Sequence, residues 1–235
     1  MTTIPRPPLA QEVTAALRAA IVSGEWPVGG RIPAEPALVE RLGVSRGTLR
    51  EAIKALSHVG MLEVRRGDGT YVRTSSEMQG TVQRAYARHT DEDVLQVRFA
   101  LDAQAARLAG SAATAADLEA MRGHLAGRRR AWEGQDIEAW IAADWAFHLA
   151  VARASGNALL VELYASFGDV FHGTKMAQRL RGGFDGCRSA GHEELVEALA
   201  AGDGEAAARS TTADLTYCLG FARDPRTVPR SAGRS

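Results

Sequence analysis

Asp144 and His148 stand four residues apart in "DWAFHLAVARASGNALL". On a helix that spacing turns both side chains onto one face, where a carboxylate oxygen and an imidazole nitrogen can reach one metal ion. A salt bridge or hydrogen bond uses the same spacing, so the pair alone leaves both chemistries open. His192 opens a later apolar-periodic run, "GHEELVEALAAG", and by itself reads as a structural or solvated histidine. A second group of residues suits a different chemistry. Arg46, Thr48 and Arg50 cluster at the start of an amphipathic run, and Arg65, Arg66, Gly67 and Gly69 follow in "VRRGDGTYV". Arginine can hold a guanine edge or a phosphate bidentately, and hydroxyls with helix-end amides can hold phosphates. Glycines let main chain approach a duplex with no Cβ in the way.

The elements that must carry the second group are legible. Val13, Leu17, Ala20 and Ile21 fall on one helical face that stops at Gly24. A short helix fits residues 36–42, with proline in its first turn and Gly43 after its end. Ser45 is placed to cap a third helix running to about residue 59, with Leu49, Ile53 and Leu56 inward and Gly60 closing it. Leu62 and Val64 alternate with charge, "GDG" turns the chain and "TYVR" returns, which spells a β-hairpin. Helix, helix, short turn, helix and hairpin make a winged helix-turn-helix, whose third helix has the dimensions to enter a major groove. Residues 74–89 are polar and lack an apolar period, and are expected to be a linker. From 90 to 222 the chain is rich in Ala, Leu, Arg and Glu at helical spacing, so an all-α domain is expected there. The last segment, 223–235, reads as a disordered tail.

The whole chain sets bounds. Its 235 residues, 46% apolar, suffice for two small cores. Lys and Arg balance Asp and Glu at 28 each, yet residues 1–73 carry ten against seven, a net +3. That excess is a weak pointer to nucleic acid, since most such charge is a solvated face. Two cysteines, Cys187 and Cys218, exclude a disulfide framework. No apolar run approaches the roughly 20 residues of a membrane span, and the first residues lack a signal-peptide core. A cytoplasmic location and no membrane partner are expected. "GRRRAWEG" at 127–134 reads as a solvated helix face, and Asn157 as the cap that restarts a helix after Gly156.

The segment "GGRIPAEPALVERLGVSRGTLREAIKALSHVGMLEVRRGDGTYV" resembles the DNA-binding domain of GntR-superfamily bacterial transcription regulators over about residues 9–73. Gly30, Pro33, Glu35, Leu38, "LGVSR", "LREA", Gly60-x-Leu62 and the Gly-x-Gly wing carry the likeness. The resemblance implies DNA contacts at Arg46 and Arg50, support from Ser45 and Thr48, and a wing tip at Gly67–Gly69. One feature departs: the family commonly has arginine after the glutamate, where this chain has Pro36. Arg31 or Arg41 could compensate. "VLQVRFALDAQAARLA", "DWAFHLAVARASGNALL" and "GHEELVEALAAGDGEAAA" are similar to the helical ligand-binding domain of the FadR branch, called FCD, over about residues 90–220. That likeness implies an antiparallel bundle of six helices, making the protein mainly α.

It also implies a set of ligands. Metal-binding members use Asp-x-x-x-His and two later histidines, the last 22 residues after the third ligand. Asp144, His148 and His192 match; the fourth position holds Asp214. Two carboxylates and two imidazoles suit a divalent ion, zinc first, with nickel or manganese as alternatives. Cys218, four residues on, is read as a small buried thiol. A metal-free pocket, in which these side chains bond to each other or to an effector, stays open. Arg98 matches the family arginine that pairs with an acidic effector, although Asp102, four residues on, offers it an intrahelical partner. The resemblance implies a homodimer on a palindromic operator, a small carboxylate effector, and a regulator rather than an enzyme. A metalloenzyme lacks any visible extra nucleophile or base and would leave the winged helix without a role. A protein-binding adaptor would tolerate loss of Arg46 and Arg50.

Overall fold

The computed structural model describes residues 8–168 and 191–223, with Asp91 and 214–223 described in backbone alone. The protein is mainly α, and the chain divides at Ala87/Arg88 into two units. The first holds α1 (Leu9–Val22), α2 (Glu35–Leu42), α3 (Arg46–His58), β1 (Leu62–Arg65), β2 (Gly69–Val72) and α4 (Glu77–Tyr86). Val13, Leu17 and Ile21 of α1 pack on Leu49, Ala52, Ile53 and Leu56 of α3, closed by Leu38, Met61 and Val72. These are the positions that helical spacing places inward. Each large apolar side chain so buried contributes about 1.5–3 kcal/mol.

Local chemistry sets the boundaries. Gly43 ends α2 in the left-handed region at φ 65°, and Ser45 caps α3 by accepting the Thr48 N–H at 3.1 Å. β1 and β2 pair antiparallel with Leu62 opposite Val72 and Arg65 opposite Gly69. Residues 29–32 add to the outer edge of β2, where Ile32 N donates to the Thr70 carbonyl and Val72 N to that of Gly30, both at 2.9 Å. The unit is a winged helix-turn-helix.

The expected linker needs correction. Within residues 74–89, Ser76 caps α4, which packs back on the first unit. Gly80 lies so close to Gly60 that a Cβ on either would collide with the other's backbone. Glu77 pairs with Arg18 at 2.7 Å, and Arg84 donates to the Ser57 carbonyl at 3.1 Å.

The second unit contains, among the described residues, α5 (Asp91–Ala112), α6 (Ala115–Glu133), α7 (Ile137–Ala154), α8 (Ala158–Ser166), α9 (Gly191–Ala200) and α10 (Gly204–Arg223). Thr90 with Asp93, and Thr114 with Asp117, form capping boxes that start α5 and α6. Asn157 caps α8 through the Leu160 N–H at 3.1 Å, directly after Gly156 at φ 69°. Ala105, Ala106 and Ala109 give α5 a smooth seam against Ala207 of α10. Met121, Leu125, Phe147, Val151, Leu195 and Leu199 fill the space between the other helices. The tail expected at 223–235 lies, beyond Arg223, outside the described residues.

Candidate functional site

Two groups of side chains stand out, one on each unit. On the first unit, the start of α3 and the wing are exposed. Arg46 and Arg66 are exposed and carry no ion pair among the described residues. Arg50 Nε donates to Glu35 at 2.9 Å. Arg65 donates to Glu63 at 3.1 Å and lies 4.2 Å above the Tyr71 ring, while the Tyr71 hydroxyl donates to Asp68 at 3.0 Å. These contacts fix the wing tip, where Gly67 at φ 77° makes the turn. The Thr48 hydroxyl lies 2.9 Å from that of Ser45, so both belong to the helix cap. An exposed ion pair such as Arg50–Glu35 is worth about 0–1 kcal/mol, little enough to be exchanged for a phosphate or a base.

On the second unit, five helices converge on a buried polar cluster. From α5, Arg98 Nε donates to Asp102 at 3.1 Å. The other Asp102 oxygen lies 3.5 Å from His148 Nδ1 on α7. A proton on Nδ1 would face that carboxylate and leave the Nε2 lone pair turned to the interior. His148 Nε2 is 3.2 Å from His192 Nε2 on α9. His192 Nε2 is 3.5 Å from Asp144 Oδ1, and His148 Nε2 is 3.9 Å from Asp144 Oδ2. Arg128 of α6 donates to Asp144 Oδ1 at 2.9 Å and lies 4.5 Å over the Trp140 ring. The Tyr164 hydroxyl of α8 is buried beside Arg98 and Asp102.

The donor set fits a small divalent ion. Tetrahedral ligands about 2.0–2.1 Å from zinc lie roughly 3.3 Å apart, and the separations among Asp144, His148 and His192 run from 3.2 to 3.9 Å. The spacing therefore brings together three of the four ligands implied by resemblance. Asp214 falls on α10, but its side chain, like Cys187 and Cys218, lies outside the described residues.

Electrostatics order the cluster. Burial opposes charge on Asp144, but His192, His148 and Arg128 overcome it and hold the carboxyl far below its usual range. Burial also opposes charge on Asp102, which Arg98 and His148 keep low. His148 is pushed below 6.5 by burial and by Arg98, against the pull of Asp102. The two guanidiniums and the two carboxylates formally cancel. A pH dependence follows. The unfolded chain takes up a proton near 6.5 that the folded site resists, so His148 contributes stability that is complete above that pH and lost below it. Thermal melts in chelator should show the midpoint falling from pH 7.5 to pH 5. A flat profile would contradict this placement of His148.

Arg98 is buried with its Nε on Asp102, the intrahelical partner weighed from sequence. Arg128 corrects a reading: "GRRRAWEG" is not wholly a solvated face. Arg129 and Arg130 are exposed, but Arg128 is buried. A signal existed, because residue 128 continues the stripe of Met121 and Leu125 at helical spacing. Tyr164 carried no signal of its own.

With this geometry in hand, the chain can be set against known proteins. Residues 9–72 match the model of "Bacterial regulatory proteins, gntR family", and residues 93–216 match that of the FCD domain. The chain is 34% identical over 230 residues to an Escherichia coli K12 protein provisionally named the L-lactate dehydrogenase operon regulatory protein, covering 92% of this chain and 87% of that one. It is 33% identical to the HTH-type transcriptional regulator LutR of Bacillus subtilis, covering 83% and 93%. The solved structure of GntR from Streptococcus agalactiae superposes with a TM-score of 0.52 at 25% identity, covering 90% of this chain and 99% of that one.

Proposed function

Because this chain belongs to the gntR family of DNA-binding transcription regulators and carries an FCD domain, we propose that it is a dimeric, metabolite-responsive repressor in the cytoplasm. In this reading Arg46 and Arg50 meet base edges and phosphates of a palindromic operator, and Ser45 and Thr48 support them. Arg65, Arg66 and the glycine main chain of the wing follow the adjacent backbone. The observation that carries the reading is the pair of exposed cations, Arg46 and Arg66, without an ion pair among the described residues and flanking a capped helix and a glycine-tipped hairpin. Among the described residues no helix is long and apolar enough to cross a membrane.

Asp144, His148 and His192, with Asp214 as the fourth ligand, would hold the ion, zinc by preference. A divalent ion adds positive charge to a cluster that already balances, and Asp214 with a small carboxylate effector would restore neutrality. Arg98 places a second positive charge beside that anion. One relative is named for an L-lactate dehydrogenase operon, and L-lactate is a carboxylate. An effector that binds one dimer geometry better would shift operator affinity by that difference.

The same charge balance favours one alternative, a metal-free pocket that takes the effector directly. A relative in Escherichia coli K12 bears the name Glc operon transcriptional activator, so an activating role accompanies that alternative.

The test is salt-titrated binding to the duplex upstream of the chain's own gene. Arg46→Ala and Arg50→Ala should each cost about 1–3 kcal/mol there, with a steep salt dependence in the parent. Equal binding by parent and both variants would remove the reading.

A further inference from the structure

Pro36 leaves the first turn of α2 without a cation, and the wing's own Arg65 is already tied to Glu63 and Tyr71. Of the two nearby arginines, Arg41 is held by Glu25 at 2.6 Å. Arg31 is exposed and has no ion pair among the described residues. Its main chain bridges Tyr71 on the outer edge of β2, so its position is set by the wing sheet. Its guanidinium crosses Gly69 so closely that any Cβ there would overlap it. Gly69 is therefore a passage for the Arg31 side chain as well as a turn residue.

Arg31 and Arg66 line one groove of about 310 Å³ between the wing tip and the start of α2, with Ile53 of α3 at its floor. The acidic residues of that groove are engaged elsewhere, Glu35 with Arg50 and Asp68 with Tyr71. We propose that Arg31 is a DNA-backbone contact: with Arg66 it holds phosphate at the mouth of this groove, and Gly69 lacks a side chain so that Arg31 can reach it. The proposal rests on the DNA-binding reading above, and Arg31 adds a contact between the wing tip and the start of α2.

The test compares Arg31→Gln and Arg41→Gln with the parent on two duplexes, the upstream segment and a random sequence of equal length. Removing one phosphate contact should weaken Arg31→Gln on both by the same factor, on the order of tenfold at 0.1 M salt, and lower the slope of log K against log salt by about one. Arg41→Gln should match the parent. Gly69→Ala should reproduce the loss and add nothing in the Arg31→Gln background. Thermal midpoints near the parent's would establish that each variant is folded, and a misfolded Gly69→Ala leaves the Arg31→Gln comparison decisive. Should the parent bind and Arg31→Gln keep its slope, the proposal fails while DNA binding stands. A loss confined to the upstream duplex would also overturn it, since that marks a base contact. A parent that binds neither duplex removes both readings.

Discussion

Asp144→Ala is expected to lower the stability of the helical unit by about 3–5 kcal/mol in chelated protein, the range for removing one partner of a buried ion pair. Arg128 and Asp144 have side chains only 9% exposed each, and the guanidinium is held at 2.9 Å. With the carboxylate gone, Arg128 stays charged against Trp140 with its principal counter-charge lost. Replacing both partners by apolar residues, Asp144→Leu with Arg128→Met, should recover most of the loss, because neither charge is then stranded. Urea denaturation followed by circular dichroism measures both effects. The same variant tests the proposed metal site. Parent protein purified without chelator should contain near-stoichiometric metal by elemental analysis and melt lower after chelation, whereas Asp144→Ala should be indifferent to chelator. Parent protein free of metal, with a midpoint unmoved by added zinc, would leave the metal-free pocket as the standing reading.

Gly110→Ala is expected to destabilise the same unit by about 1–3 kcal/mol or more, the range for overpacking a filled core. Gly110 of α5 meets the backbone of Gly204 at the start of α10, and Gly204 in turn faces the Arg107 carbonyl. A methyl group there strikes main chain, which no rotamer change can relieve. Gly123→Ala provides the contrast. That glycine lies exposed inside α6, with nothing within 4 Å of an added Cβ. There the usual helix preference for alanine should stabilise by about 0.5–1 kcal/mol. Opposite signs for one substitution in two helices of one unit would separate packing from propensity. A stabilising Gly110→Ala would mean that α5 and α10 do not touch at Gly110.

Much of the first unit is written locally. Val13, Leu17 and Ile21 repeat with a helix, Ser45 supplies the oxygen its cap needs, and Gly43 and Gly60 take the left-handed backbone that ends helices. The hairpin follows from alternation and a glycine turn. α4 was not legible because it depends on partners far off in sequence: Gly80 against Gly60, Glu77 on Arg18, Arg84 on Ser57. Its own residues show few apolar positions to read. In the second unit, the Asp144–His148 pair was local, but His192 lies 44 residues away from His148 and only the family likeness tied it in. Arg128 escaped for a different reason. Three arginines in a row look like solvent, and only the register against Met121 and Leu125 tells which one turns inward.

The two sets of ion pairs answer to different conditions. Arg50 and Glu35 are 63% and 39% exposed, so dissolved salt reaches them, while Arg98 and Asp102 are 5% and 3% exposed and are shielded from it. Ionic strength therefore acts on the exposed pairs of either unit, Arg50–Glu35 and Arg107–Glu205 alike, and leaves the buried cluster nearly still. Rising salt thus weakens whatever an exposed arginine holds, while Arg98 and Asp102 keep their pairing.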